Sequence, residues 1–184
     1  MHPRVHHVGI VAATTRRALP ALRQRLEGVE VILHAGGLGP ADVIEALGAL
    51  APLRAVVDQQ DYLLWGDRFP EIDTLTVGPA RILLTHLAGR PPEWLPPVRT
   101  RIAADPPDVI VHGQGDRAAA EWIGGILYVT PGPADPGPGP LPATAVRLDI
   151  ESRARITAHV LDLSPSAPPL PPPAPRPGSG SALY

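Results

Sequence analysis

Apolar positions fall into short runs parted by polar or glycine-rich breaks. Residues 5–12 form one compact apolar run, which predicts a strand. Leu19, Leu22 and Leu26 recur at helical spacing within 16–26, and Gly28 stops that helix as a C′ glycine does. Residues 29–33 read as a short buried strand. Val43, Leu47 and Leu50 place one apolar face on a helix over 41–50, and 53–57 is a third strand. The order is βαβαβ, which argues for a parallel sheet with right-handed crossovers.

The second half changes character. Runs at 74–77 and 81–85 flank Gly78-Pro79-Ala80, a hairpin signal. A short helix is expected within 91–104, against the grain of its prolines. Residues 108–111 are another buried strand, and 126–129 follow Gly124-Gly125 as a strand after a turn. Runs at 145–150 and 156–163 predict a terminal hairpin around 151–155. A folded unit over 1–163 is expected, with a boundary near Ser164. Residues 164–184, SPSAPPLPPPAPRPGSGSALY, have too little apolar surface for a core and read as an extended, disordered tail. Its proline spacing is also compatible with polyproline recognition.

Composition narrows the function classes. The chain has 184 residues, enough for one domain with a full core. It has no cysteine, which excludes disulfides and thiolate metal sites. All sixteen basic residues are arginine, so a P-loop or Schiff-base lysine is excluded. A net charge of −2 is a poor footprint for nucleic acid. No apolar run is long enough to span a bilayer, and no signal peptide is evident, so a cytoplasmic protein without membrane insertion is expected.

In parallel sheets the loops at the carboxyl ends of strands form the ligand site. Here these are GIVAATT (9–15), HAGGLG (34–39), VVDQQD (56–61), LLTHLAG (83–89), VIVHGQGD (109–116) and YVTPGP (128–133). Their order and spacing resemble those of the calcineurin-like metallophosphoesterases over about 5–163. The branch they resemble most is that of the small bacterial phosphodiesterases, which includes the retromer scaffold subunit. The resemblance implies an α/β sandwich of two mixed sheets flanked by helices. It also implies two divalent metals about 3.5–4 Å apart that clamp the attacking and leaving oxygens of a phosphoryl transfer.

The family pattern runs GxxSDTH, HxGD, GNCD, THG, GHTH, NPGS. Laid on this chain, the first-loop aspartate falls on Ala13 and its histidine on Thr15. The metal-bridging aspartate falls on Gly37, and the third-loop asparagine on Gln59. The fourth-loop histidine is kept as His86, and the two fifth-loop histidines fall on Gln114 and Asp116. In the last loop the asparagine falls on Thr130 and the serine on Pro133. Alanine and glycine carry no side-chain donor, so the dinuclear centre is expected to be lost.

The resulting expectation is a degenerate member of the family, without a catalytic set or cofactor, that acts as a binding or scaffold module for a protein partner. One alternative is a phosphodiesterase with a single divalent metal such as manganese on His86, Asp116 and Gln59. Another is a hydrolase rebuilt around Thr14, Thr15 and His86. A third is an anion or nucleotide sensor using Arg16 and Arg17 near a helix N-terminus. His86 reads more simply as a relic histidine in a polar pocket, and Arg16 and Arg17 as a solvated helix face. His34 and His112 are expected to pack behind the loops, and His159 to take either face. His2, His6 and His7 read as a solvated lead-in. Asp58 and Asp61 could form a carboxylate pair, with capping of the next turn the plainer role for Asp61.

Overall fold

A computed structural model of the chain describes residues 4–164. The first half forms β1 (His6–Val11), α1 (Leu19–Arg25), β2 (Val31–His34), α2 (Ala41–Gly48) and β3 (Leu53–Ala55). Next come α3 (Tyr62–Trp65), β4 (Ile72–Val77), β5 (Ala80–Thr85), and the short pair β6 (Gly89–Arg90) and β7 (Glu93–Trp94). The chain continues through α4 (Pro96–Ala104), β8 (Val109–His112), β9 (Ala119–Ile123), β10 (Ile126–Thr130), β11 (Thr144–Ser152) and β12 (Arg155–Asp162).

Two five-stranded sheets result, ordered β12-β11-β1-β2-β3 and β4-β5-β8-β10-β9. In the first, β1, β2 and β3 are parallel, and β11 and β12 join antiparallel. In the second, β5, β8 and β10 are parallel between antiparallel edge strands β4 and β9. Strand alternation sorts the apolar residues into layers. Val8, Ile10 and Leu33 of the first sheet meet Ile82, Leu84 and Val111 of the second in a common core. On the outer face of the first sheet, Val11 and Ile32 pack against Leu22, Leu26 and Leu47 from the helical side. On the outer face of the second, Leu83 and Ile110 cover Val98 of α4. Each side chain buried in this way contributes roughly 1.5–3 kcal/mol. The architecture is thus the expected two-sheet α/β sandwich.

Some elements depart from expectation. The first helix begins at Leu19, because residues 16–18 form a turn closed by Ala18 N–H on the Thr15 carbonyl. The second ends at Gly48, so Leu50 lies beyond it and is exposed rather than continuing the apolar face. Pro96 and Pro97 open α4 instead of breaking it, since the first helical turn has no use for their missing N–H groups. Strand β9 and helix α3 carry no alternation or length to announce them. His6 and His7 lie inside β1, half-buried, and bond to Glu30 and Asp149. They are not a solvated lead-in. His159 also bonds Asp149. No helix among the described residues is long and apolar enough to cross a membrane. His2 and the expected tail from 165 onward lie outside the described residues.

Candidate functional site: a loop crown and the groove beside it

The parallel strands bring the six loops to one edge of the sandwich, where hydrogen bonds lock them together. Ala13 N–H donates to the Gly36 carbonyl and Thr14 N–H to the Gly37 carbonyl, both at 2.9 Å. The last loop joins the first through Ala134 N–H on the Ala12 carbonyl and Asp135 N–H on the Ala13 carbonyl. The fourth loop reaches the second through His86, whose Nδ1 lies 2.8 Å from the Ala35 carbonyl oxygen. The fifth joins the fourth through Gly113 and Gln114 N–H on the His86 carbonyl.

Asp61 ties the third loop to the second. One carboxylate oxygen accepts Leu38 N–H, and the other accepts Gly37 and Asp58 N–H. Burial pushes its pKa up and outweighs those three donors. Asp61 therefore does not cap the following turn. Asp58 does, accepting Gln60 and Asp61 N–H on one oxygen. The two carboxylates have separate jobs and do not form a catalytic pair.

The glycine loop is the tightest part. Gly36, Gly37 and Gly39 all sit at positive φ. A Cβ on Gly37 would lie 2.8 Å from Ala13 Cα, and Ala13 itself is left-handed at φ 48°. The His86 ring fills the space where a Cβ on Gly36 or Gly113 would stand. Below the loop, His34 is wholly buried, with Nε2 2.8 Å from Thr14 Oγ1. Thr14 gives its own proton to the Leu38 carbonyl, so Nε2 carries the imidazole proton and Nδ1 has no partner. Burial pushes the His34 pKa down to about 3, opposed by Asp58 and aided by His86. His112 stacks on Tyr128 with centroids 4.3 Å apart, and burial lowers its pKa to about 4. Both histidines lie behind the loops as neutral packing groups.

Of the remaining candidate residues, Gln59 shares a groove wall with His86, and the others are engaged elsewhere or exposed. Thr15 donates to Asp135 at 2.5 Å. Arg16 is bound by both oxygens of Asp42, and Arg17 lies 3.7 Å from Asp135. Carboxylates of the chain itself thus meet the charges that could have held an anion, and α1 begins two residues beyond Arg17. Gln59, Gln114 and Asp116 are exposed. Among the described residues no three His, Cys, Asp or Glu side chains are grouped to hold a metal ion. Two of the crown's inward positions, Ala13 and Gly37, present a methyl group and a hydrogen. This donor set does not fit a dinuclear metal centre, which needs carboxylate and imidazole ligands around each cation.

Beside the crown lies an open groove of about 400 Å³. His86, Gln59 and Asp58 form its crown-side wall, and Ile72, Leu87 and Leu95 supply apolar surface. It shares Tyr62, Glu71 and Ile72 with a second hollow that Arg101 also lines. Helix α3 stands at its rim with Tyr62 57%, Leu63 96% and Leu64 77% exposed. Sequence reasoning missed this surface. Its signal was Tyr62-Leu63-Leu64-Trp65, four large apolar residues in a segment too short to bury them all.

A two-sheet sandwich with a six-loop crown at its parallel-strand edge is the architecture of metallophosphoesterases. The chain belongs to the calcineurin-like phosphoesterase superfamily, whose domain model matches residues 5–153. No curated protein matches it. Among solved structures, it is similar to a predicted phosphoesterase from Streptococcus pneumoniae, at 18% identity and TM-score 0.66 over 87% of this chain and 91% of that one. It is similar to an archaeal phosphodiesterase at 20% identity and TM-score 0.63, covering 84% and 99%. Vps29 from Chaetomium thermophilum, complexed with a cyclic peptide, is similar at 15% identity and TM-score 0.62, covering 85% and 95%. At these identities the structural likenesses speak to the fold.

Proposed function

We propose that this chain is a metallophosphoesterase-fold protein without two-metal phosphodiesterase activity, working in the cytoplasm as a binding module for a protein partner. The observation that carries the reading is the Ala13–Gly37 contact. The positions that correspond to metal-gripping carboxylates touch through backbone, with 2.8 Å between Ala13 Cα and where a Gly37 Cβ would stand. A bridging carboxylate has neither a side chain to come from nor space to occupy. Two divalent charges at short range would then repel with little to offset them. Losing the metals removes both nucleophile activation and charge stabilisation. One histidine acting as a general base recovers only about 10²–10⁴-fold.

The binding half of the reading is supported by the exposed apolar rim of the groove, since surface patches of this kind mark interaction sites. A Vps29 of the same fold is complexed with a peptide, which is consistent with a scaffold use of the sandwich. The test is turnover of a bis-aryl phosphodiester with manganese, paired with metal analysis of the purified protein. The expected result is no turnover above that of a His86→Ala variant and no stoichiometric metal. Turnover that disappears in His86→Ala, or manganese, zinc or iron held one-to-one or better, overturns the proposal.

A further inference from the structure

We propose that the groove beside His86 takes a short extended segment of a partner protein, which sets an arginine or lysine against Asp58 and Glu71 and an apolar side chain next to it. The inference deepens the binding-module reading, on which it rests for treating the groove as a binding face, and it names the chemistry of the partner.

Charge complementarity is the first argument, and the backbone prepares it. Val57 N–H donates to the Pro70 carbonyl at 3.0 Å, which brings the segments of Asp58 and Glu71 side by side. Thr85 Oγ1 donates to the Glu71 carbonyl at 3.2 Å, which holds Glu71 next to the loop that carries His86. All three side chains line the one groove. Gln60 and Asp61 N–H engage Oδ1 of Asp58, while its Oδ2 takes no hydrogen bond among the described residues. The Glu71 carboxylate has no side-chain partner among them either. His86 Nδ1 faces a carbonyl and so carries a proton, which leaves Nε2 an acceptor in the neutral ring. No arginine lines this groove, and Arg101 lines only the adjoining hollow. A wall of acceptors without a fixed cation repels a phosphate. It suits a guanidinium or an ammonium, whose polar hydrogens are all donors.

The apolar lining and the shape fix the rest of the occupant. Ile72 and Val98 line the groove together with Tyr62, Leu87 and Leu95, and the last three are exposed. An apolar side chain seated among them takes that surface out of water. A volume of about 400 Å³ is at the small end of ligand clefts, roughly 300–1,000 Å³, so the space admits a few side chains and not a helix. The surface runs on through Tyr62, Glu71 and Ile72 into the second hollow, so it is a trough longer than one pocket. An extended chain follows such a trough, whereas a compact amine fills only part of it. Tyr62, common to both hollows, offers the cation a ring face in the same wall as the carboxylates.

The test titrates the full isotope-labelled chain with three capped peptides, Gly-Leu-Xaa-Leu-Gly with arginine, glutamine or glutamate at the centre, and follows amide shifts by NMR. The expected result is saturable shifts at Tyr62, Glu71 and Leu87, with the arginine peptide about fivefold tighter than the glutamine peptide and the glutamate peptide weakest, as fits one partly exposed ion pair. Glu71 is exposed, so its variants keep the fold, which an unchanged melting temperature checks. Glu71→Gln should bring the arginine and glutamate peptides closer together, and Glu71→Arg should reverse their order. Equal affinities, a preference for the glutamate peptide, shifts confined to another face, or no saturable shift with any peptide each overturn the proposal. So does an arginine preference that survives Glu71→Arg. Any of these leaves the binding-module reading standing with a partner of other chemistry. That reading falls by the manganese assay, whatever the peptides show.

Discussion

The crown around Gly37 and the groove beside it share a wall at His86, yet they are built on opposite terms. In the crown nearly every polar group is answered from within the chain. Backbone carbonyls take backbone N–H groups, Asp61 takes three more, and three glycines at positive φ let the loops meet at backbone distance. In the groove, large apolar side chains stand in solvent, and Glu71 has no partner among the described residues. A surface that is saturated has nothing left to offer a ligand. Exposed apolar area beside the Glu71 carboxylate has a great deal. On the proposed reading, the contrast puts the binding face one loop away from where the family's chemistry would sit.

The most severe way to break this contrast is to pry the crown apart. A Cβ on Gly113 would lie 1.8 Å from the Ala35 carbonyl oxygen, a backbone atom that cannot rotate away. Gly113→Ala is expected to cost about 3–5 kcal/mol in urea unfolding. Gly37→Asp, the substitution that would put back a bridging carboxylate, should also lower the melting temperature, because φ is +69° there and Ala13 blocks the Cβ. It should gain no manganese by calorimetric titration. A manganese-stabilised Gly37→Asp variant would mean that the loops still open onto a working site.

Removing the carboxylate that ties the third loop to the second comes next. Asp61→Ala leaves Gly37, Leu38 and Asp58 N–H groups without their acceptor, and is expected to cost about 2–4 kcal/mol. Hydrogen exchange should then speed up at Gly37 and Leu38 while the groove-side helix α4 is unaffected. If α4 exchanges faster to the same degree, the two regions are one cooperative unit and the comparison drawn above is too sharp.

Acid separates them by titration. His34 is neutral in the fold, with its pKa pushed from 6.5 to about 3 by burial. The unfolded chain takes up a proton below pH 6.5 that the folded chain refuses, so this contribution is complete above pH 6.5 and is lost as pH falls from there toward 3. Between pH 6.5 and 4.5 the loss is roughly 2 kcal/mol. Asp61 acts in the opposite sense. Its raised pKa favours the protonated fold, so its charge penalty appears as pH rises through the range above 3.8. His34→Gln should flatten the net slope between pH 6.5 and 4.5. An unchanged slope would show that His34 is not buried neutral beneath the loop.

How much of this was legible in the sequence divides along the same line. Strands such as β2 and β8, buried on both faces, read clearly as continuous apolar runs. The crown was legible as loops in order, because glycine and histidine positions are set by backbone geometry that leaves a pattern. The role of Asp61 was not, since two of its three partners are N–H groups 23 and 24 residues away and no local spacing encodes them. The ion pairs of Arg16 and Arg17 were equally hidden, with Asp42 and Asp135 lying far along the chain. The groove escaped because its surface comes from four separate segments. Only Tyr62-Leu63-Leu64 hinted at it, and a run of three apolar residues is read by default as core.

That default supplies the mildest test. Leu63 is 96% exposed, so Leu63→Ser removes almost no buried area and should change stability by no more than about 0.5 kcal/mol. Leu33, wholly buried between the sheets, should cost about 2–5 kcal/mol on truncation to alanine. An apolar side chain that adds nothing to the fold has been left in water at a cost in solubility, and a binding face gives that cost a purpose. Leu63→Ser should therefore keep the melting temperature while raising the ammonium sulfate concentration at which the protein precipitates. If it unfolds the chain instead, α3 is part of the core. The groove would then lose its exposed rim, and the difference between the two regions would vanish.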